Sequence, residues 1–320
     1  MSTMNEKIRF VGTAEYGRNF WNVMRGNTAA IGEIHGGTDT ATGGYFLPSG
    51  SSGKLEEAIL SRSLFRNLAT VVKAYGGSSR IFAKDTSDLA AWVPENGDIP
   101  IYNGMDDFTR YAVDSHKLAV FVRLDNDFVH DASFSVEDYL TDRLAQNFAK
   151  AEDSGFVSGT GEDMPTGILC SDKGAETALT VDTIGFDDVV SLFFSLDDEY
   201  RRNAVWMMND ETALKLRLLK DNAGNYLWNH ADGTILSRPV TISNDMPSEK
   251  PGSMPIVFGD FHYYWIILRS PVSMRTLKEK FVAQNQIGYL ATRFLDAKLI
   301  RREAVKAIRM SDAQPSGAES

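Results

Sequence analysis

An α+β fold is predicted for this 320-residue chain by one long amphipathic helical run, by short alternating apolar segments near both ends, and by the lack of any regular β-α-β alternation or internal repeat. Hydrophobic residues make up 43% and charged residues 24%, which suits a folded protein with a sizeable core. No apolar run is long enough for a membrane span. Met1 to Phe10 carries Glu6, Lys7 and Arg9 and so lacks the apolar stretch of a secretory signal. Cys170 is the single cysteine, which excludes an intrachain disulfide and a cysteine-based zinc site.

Tyr16, Phe20 and Val23 or Met24 recur at helical spacing, predicting a short helix over Glu15 to Arg25 that needs a surface to pack on. Asn27 to Gly53 loses periodicity and gathers Gly, Ser and Thr, so it is expected to be an arm outside the core. A helix is expected over Lys54 to Arg66, then a strand within Leu68 to Tyr75. From Ser78 to Lys117, strands at Arg80 to Ala83 and Phe108 to Val113 flank a middle rich in Pro and Gly, the pattern of a protruding two-stranded loop.

The clearest helix starts after Ser135, whose hydroxyl suits a cap, with Glu137 and Asp138 favourably placed against the helix dipole. Val136, Leu140, Leu144 and Phe148 recur every fourth residue, and Gly155 is expected near the end. A second helix is expected from Phe186 to Tyr200 and a third over Asp210 to Lys220, ended by a turn at Asp221 to Gly224. Strands are expected at Ala204 to Met208, Val240 to Ser243, Ile256 to Phe258 and Tyr263 to Leu268. Ile287, Tyr289, Ala291 and Arg293 alternate as in a strand, and Ala304 to Met310 suits another. The tail beyond Ser311 is small and polar.

Acidic residues exceed basic ones by 43 − 33 = 10, which argues against a chain devoted to gripping phosphates. The distribution is uneven: Asp85 to Asp163 holds 17 Asp/Glu and 5 Lys/Arg, whereas Arg275 to Arg309 holds 9 Lys/Arg and 3 Asp/Glu. Two solvated faces are the ordinary explanation; two surfaces that meet between subunits are the sharper one.

Catalytic patterns are weak. His35, His116, His130, His230 and His262 show no helical metal-ligand spacing, and a cation at His230 and Asp232 competes with a plain turn. Gly159-Thr160-Gly161 follows a helix instead of preceding one, contrary to a phosphate site. No Gly-x-Ser-x-Gly elbow occurs. The pairs Asp106-Asp107, Asp187-Asp188 and Asp197-Asp198 are more readily helix-end or strand carboxylates than acid/base dyads. No catalytic residue, cofactor or metal is expected.

Several segments, in order, resemble one family. Gly43-Gly44-Tyr45-Phe46-Leu47-Pro48, Ser61 to Thr70, Ala90-Ala91-Trp92-Val93-Pro94-Glu95 with Asp98-Ile99-Pro100, Lys117 through Asp153, Phe156-Val157-Ser158-Gly159-Thr160-Gly161 to Leu169, and Leu219 to Tyr226 are similar to segments of tailed-bacteriophage major capsid proteins, the Hong Kong 97 phage fold. The resemblance runs from Gly43 to about Met310.

It implies an N-terminal arm (1–45), a first peripheral part (46–75), an extended loop (76–118), a peripheral domain with a spine helix (119–184), an axial domain (185–275) and a return to the peripheral sheet with a tail (276–320). The implied function is self-assembly as hexamers and pentamers into an icosahedral head enclosing double-stranded DNA. DNA contacts would be non-specific, and a portal and a scaffold or protease would serve as assembly partners. Location in the virion after assembly in a bacterial cytoplasm, without a membrane, follows from the same resemblance. Trp92, Pro94, Glu95, Asp98 and Ile99 of the extended loop are the implied subunit interface. Many members carry a long scaffolding segment ahead of the glycine pair, whereas some 40 residues precede Gly43 here. Covalent cross-linking between subunits is not expected, because no lysine lies between Lys84 and Lys117. An encapsulin-like compartment shell with the same fold, and a soluble hydrolase, are the alternatives.

Overall fold

The computed structural model describes residues 3–75, 80–84, 93, 108–131, 133–220, 223–228 and 233–312. Helices α1 (Met4–Val11) and α2 (Ala14–Met24) each begin after a threonine, Thr3 and Thr13, whose hydroxyl accepts a backbone N–H of the first turn. A 3-10 segment, Thr28–Gly37, leads to strands β1 (Thr38–Asp39) and β2 (Gly44–Phe46). Helices α3 (Ser49–Leu60) and α4 (Leu64–Leu68) precede β3 (Thr70–Lys73), β4 (Arg80–Lys84), β5 (Phe108–Ala112) and β6 (His116–Asp125).

After the short α5 (Asn126–His130) comes the spine, α6 (Val136–Ser158), then β7 (Glu176–Val181), α7 (Phe186–Ser195), α8 (Asp198–Arg201), β8 (Val205–Met208) and α9 (Asp210–Leu218). Strands β9 (Thr234–Ile235), β10 (Arg238–Ile242), β11 (Ile256–Gly259), β12 (Tyr264–Leu268), β13 (Ser273–Leu277), β14 (Gln286–Leu299) and β15 (Val305–Met310) complete the order.

Two sheets organise these elements. The seven-stranded sheet runs β1-β2-β13-β14-β12-β3, with β6 also paired to β14, and the six-stranded sheet runs β7-β15-β11-β8-β10-β9. Strands β4 and β5 form a separate antiparallel pair. Two large apolar clusters follow the sheets. One joins α2, α3, the first part of α6 and β14 as far as Ala291. The other joins the end of α6, α7, α9, the six-stranded sheet and β14 from Leu295 onward.

The arm expectation for Asn27 to Gly53 is corrected: Ile34, Phe46 and Leu47 are buried, as are Tyr16, Phe20 and Met24 before them. Glycine makes this packing possible, since a Cβ on Gly37 would stand 2.4 Å from the Tyr16 hydroxyl. That hydroxyl donates to Phe46 O at 2.6 Å and ties the first helices to the sheet.

The helix expected over Lys54 to Arg66 is two helices, because Ser63 leaves the helical path to cap α4 and accepts from Arg66 N. The first of them starts earlier, just after Pro48, which fits the helix entry. The spine continues through Gly155 and ends at Gly159, where any Cβ would meet Pro165 O at 2.0 Å. Its successor stops at Ser195, since Leu196 is extended.

The expected return of 276–320 to one sheet is also corrected. β13 crosses the 275/276 boundary within the seven-stranded sheet, while β15 joins the six-stranded one between β11 and β7. Alternating apolar residues identify a strand but not its partner.

Candidate functional site: the loop root and the seam between two cores

Of the residues expected at the loop interface, Trp92, Pro94, Glu95, Asp98 and Ile99 lie outside the described residues, as do His230, Asp232 and Asp106-Asp107. The root of the loop is described. Strands β4 and β5 pair from Arg80↔Ala112 to Lys84↔Phe108. Ile81 and Val113 pack with Ile267 and Ile300 in a small third cluster. Tyr111 donates to Ile300 O at 3.0 Å, Lys298 donates to Ala112 O, and Asp296 accepts Asp114 N at 2.9 Å. The base of the two-stranded loop is thereby fastened to the end of β14 and the turn after it.

Between the two large clusters lies a closed ring of charge. Arg66 donates through Nε to Glu152 Oε2 at 2.8 Å and through Nη1 to Glu56 Oε2 at 2.7 Å. Arg293 meets Glu56 Oε1 and Glu152 Oε1, each at 3.1 Å. The ring joins α3, α4, α6 and β14. Three of its side chains are almost wholly out of water, Glu152 at 0%, Arg293 at 1% and Arg66 at 4% exposure, while Glu56 is 24% exposed. Two guanidiniums facing two carboxylates cancel in net charge, which makes burial tolerable. Burial alone would lower the Arg66 pKa, but Glu152 and Glu56 outweigh it and the pKa rises.

Next to the ring, Asp153 accepts from Ser63 Oγ at 2.5 Å, Leu64 N at 2.9 Å and Phe65 N at 3.3 Å, capping α4 from another helix. Burial pushes its carboxyl above the ordinary value, and those three hydrogen bonds pull the other way.

The position of the ring is legible in the elements that carry it. In α6, Val136, Leu140, Leu144 and Phe148 pack in one cluster and Phe156 in the other, with Glu152 at the intervening turn. In β14, Tyr289 and Ala291 belong to the first cluster and Leu295 and Ala297 to the second, with Arg293 between them. Helix and strand change core at the same level, and the charged residue on each marks the seam.

Groups considered for chemistry have structural employment. Asp188 accepts Gly185 N at 2.8 Å at the start of α7. Gly159-Thr160-Gly161 forms a tight return in which Thr160 bridges Thr166. Among the described residues no three His, Cys, Asp or Glu side chains gather as metal ligands, and no helix is long and apolar enough to cross a membrane. A cleft of about 350 Å³ lies beside the seam, lined by His116, Lys117, Glu152, Phe156 and Met164 among others. Glu152 there is held by the ring, and His116 stands 3.6 Å from Asp296, so neither is set toward the cleft as an acid/base pair.

The model of the phage capsid family matches residues 43–310. The chain belongs to the phage capsid family. A solved capsid of a native GTA particle is 27% identical to it, with a TM-score of 0.62, covering 79% of this chain and 90% of that one. The capsid of an empty GTA particle is 28% identical, with a TM-score of 0.60, covering 78% and 90%. A chain of Microbacterium phage Oxtober96 shares the fold at 14% identity and a TM-score of 0.55, covering 78% and 91%. No curated protein matches the sequence. The chain is a major capsid protein, a component of the virion with the Hong Kong 97 phage-type fold.

In this capsid protein the basic segment is not an open face. Arg293 sits in the ring, Lys298 pairs with Asp296 at 3.1 Å, Lys306 with Glu176, and Arg309 with Asp312 at 3.6 Å. Arg301 donates to the Tyr200 hydroxyl, while Arg302, Arg275 and Lys278 donate to Gly174 O, Thr42 O and Gly26 O. Lys280 lies over the Phe281 ring. All nine cations find partners within the subunit, four of them carboxylates. Sequence reasoning missed the ring because its members are far apart in the chain. The available signal was a carboxylate continuing the apolar stripe of α6 and an arginine continuing that of β14.

Proposed function

We propose that this major capsid protein assembles as hexamers and pentamers into an icosahedral head around double-stranded DNA. The observation that supports this most is the family match over 43–310 together with capsid neighbours that it nearly spans. A portal, and a scaffold or protease, are the proposed assembly partners. The DNA is contacted without sequence preference. The seven-stranded sheet with the spine is the proposed peripheral domain, and the six-stranded sheet the axial one.

The loop from 76 to 118, rooted on β14, is the proposed arm onto a neighbouring subunit, with Trp92, Pro94 and Ile99 as apolar anchors and Glu95 and Asp98 beside them. Tiling of many modest interfaces is enough to close a shell. Electron microscopy of the purified protein, with and without a scaffold, is expected to show hollow particles of uniform size. Protein that stays monomeric at high concentration across salt and pH overturns the proposal. Trp92→Ala is expected to lower particle yield while leaving the subunit folded. Particles boiled in detergent are expected to run as one band at monomer mass.

A further inference from the structure

The seven-stranded sheet leaves one long edge open. Strand β6 spans ten residues and, among the described residues, pairs with β14 alone. Asn126 N donates to Asn285 O just beyond the strand, in the same register as the β6/β14 ladder. Antiparallel ladders alternate, so Leu124, Val122, Val120, Leu118 and His116 bond to β14. Strands β12 and β13 occupy the opposite side of β14, as Arg269 N→Phe294 O and Ile300 N→Tyr263 O show. The N–H and C=O groups of Lys117, Ala119, Phe121 and Arg123 and the N–H of Asp125, whose C=O opens α5, therefore point away from the sheet, and none of these groups has a backbone partner among the described residues.

Charge at Lys117, Arg123 and Asp125 is the only blunting device on this edge. The strand has no proline or glycine, and its register with β14 is unbroken. Edges of that length are normally disrupted or covered in proteins that work alone. The other edge strands are shorter: β1, β9, β3 and β7. All five outward-pointing residues are exposed, and Phe121 is 43% exposed although its ring also covers Gly288.

We infer that β6 pairs antiparallel with β6 of a second copy across a twofold axis at Phe121. This rests on the reading of the chain as a shell subunit, which supplies the second copy. The order Lys117, Ala119, Phe121, Arg123, Asp125 carries opposite charges at its two ends around a central aromatic residue. An antiparallel partner in this register sets Lys117 against Asp125 twice and Phe121 against itself, and all five outward residues become hydrogen-bonded pairs. A shift by two residues one way puts Lys117 against Arg123; the other way sets Asp125 against Ala119 and carries Lys117 past the end of the partner strand, opposite Asp127 of α5. The contact is isologous and closes on itself. Asp125 also accepts from Gln286 at 2.8 Å, which holds its carboxylate on the exposed face.

Hydrogen exchange resolved to single amides, on intact particles and on dissociated subunits of the unaltered protein, reads the edge directly. The amides of residues 117, 119, 121, 123 and 125 are expected to exchange at least about tenfold more slowly in particles. Register is read by disulfide trapping in a Cys170→Ser background. Phe121→Cys is expected to give covalent dimers, because paired Cα atoms lie about 5.5 Å apart across the ladder. Ala119→Cys alone is expected to stay monomeric, its copies lying about 13 Å apart along the strand. The double variant Ala119→Cys/Arg123→Cys keeps Phe121 and is expected to form dimers. Intact particles whose five amides exchange as in free subunits overturn this inference alone. Protected amides without dimers from Phe121→Cys and the double variant overturn the twofold register, and absence of particles under every condition overturns the function along with it.

Discussion

The two cores are closed by different means. Around the six-stranded sheet, apolar stacking dominates: Trp206 and Phe258 lie 4.1 Å apart between centroids, and Phe193 lies 5.4 Å from Phe258. A few buried polar groups tie segments there as well: Asn209 caps α9 and donates to Met246 O at 3.3 Å, Trp206 donates to Ile235 O at 3.0 Å, and Tyr264 donates to Thr166 O at 2.7 Å. Around the seven-stranded sheet, polar side chains reach between distant segments. Tyr16 bonds Phe46 O, Tyr289 bonds Met24 O, Asp39 accepts from Ser273, and the charged ring closes the seam. Apolar burial is non-directional and tolerates adjustment, whereas hydrogen bonds and ion pairs fix position. What the spine side adds to such bonds is the ring of ion pairs, which fixes α3, α4, α6 and β14 against one another.

The largest effect is expected from breaking the ring. Arg293→Met leaves Glu56 and Glu152 with one guanidinium between them and should cost about 3–5 kcal/mol, seen as a fall in the denaturant midpoint. Adding Glu152→Leu should recover part of that loss, since Arg66 and Glu56 remain paired. No recovery would mean that the ring acts by packing more than by charge. In the other core, Met207→Ala, at a fully buried site, should cost about 2–5 kcal/mol through the cavity it leaves. Its effect on hydrogen exchange should centre on the six-stranded sheet; equal loss of protection across the spine would erase the distinction between the cores.

Alkaline pH offers a gentler probe. Burial raises the hydroxyl pKa values of Tyr16, Tyr264 and Tyr289 above the ordinary value of 10.0. The folded chain holds these protons more tightly than the unfolded chain, so stability is intact below pH 10 and falls as pH rises above it. Tyr16→Phe should weaken that dependence, measured by denaturation at pH 8 and at pH 11. The smallest effect belongs to Ser135, whose hydroxyl accepts Asp138 N at the start of the spine. Ser135→Ala should lower stability by about 1 kcal/mol.

The spine and its cap were legible because both rest on local rules: a serine, two acids and an apolar residue every fourth position. Strand positions were legible for the same reason. Start and stop points were less so. The Ser49 to Gly53 stretch has poor helix formers, yet it is the first turn of α3 because Ser51 bonds Trp21 and Glu137 from two other segments. The loop root was visible as two flanking strands, whereas its fastening to β14 depends on Asp296 and Lys298, nearly two hundred residues away. Nothing in the alternation of Val305 to Met310 distinguishes one sheet from the other.

That last strand carries a consequence for timing. β15 stands between β11 and β7 and follows every other strand of its sheet in the chain. Until it emerges during synthesis, β7 has no sheet to join, and Gly259 lacks the backbone of Ala304 and Val305 that crosses it closely. Pairings so distant in sequence form late. A chain cut short before Val305 leaves the six-stranded sheet divided, with β7 detached from β11.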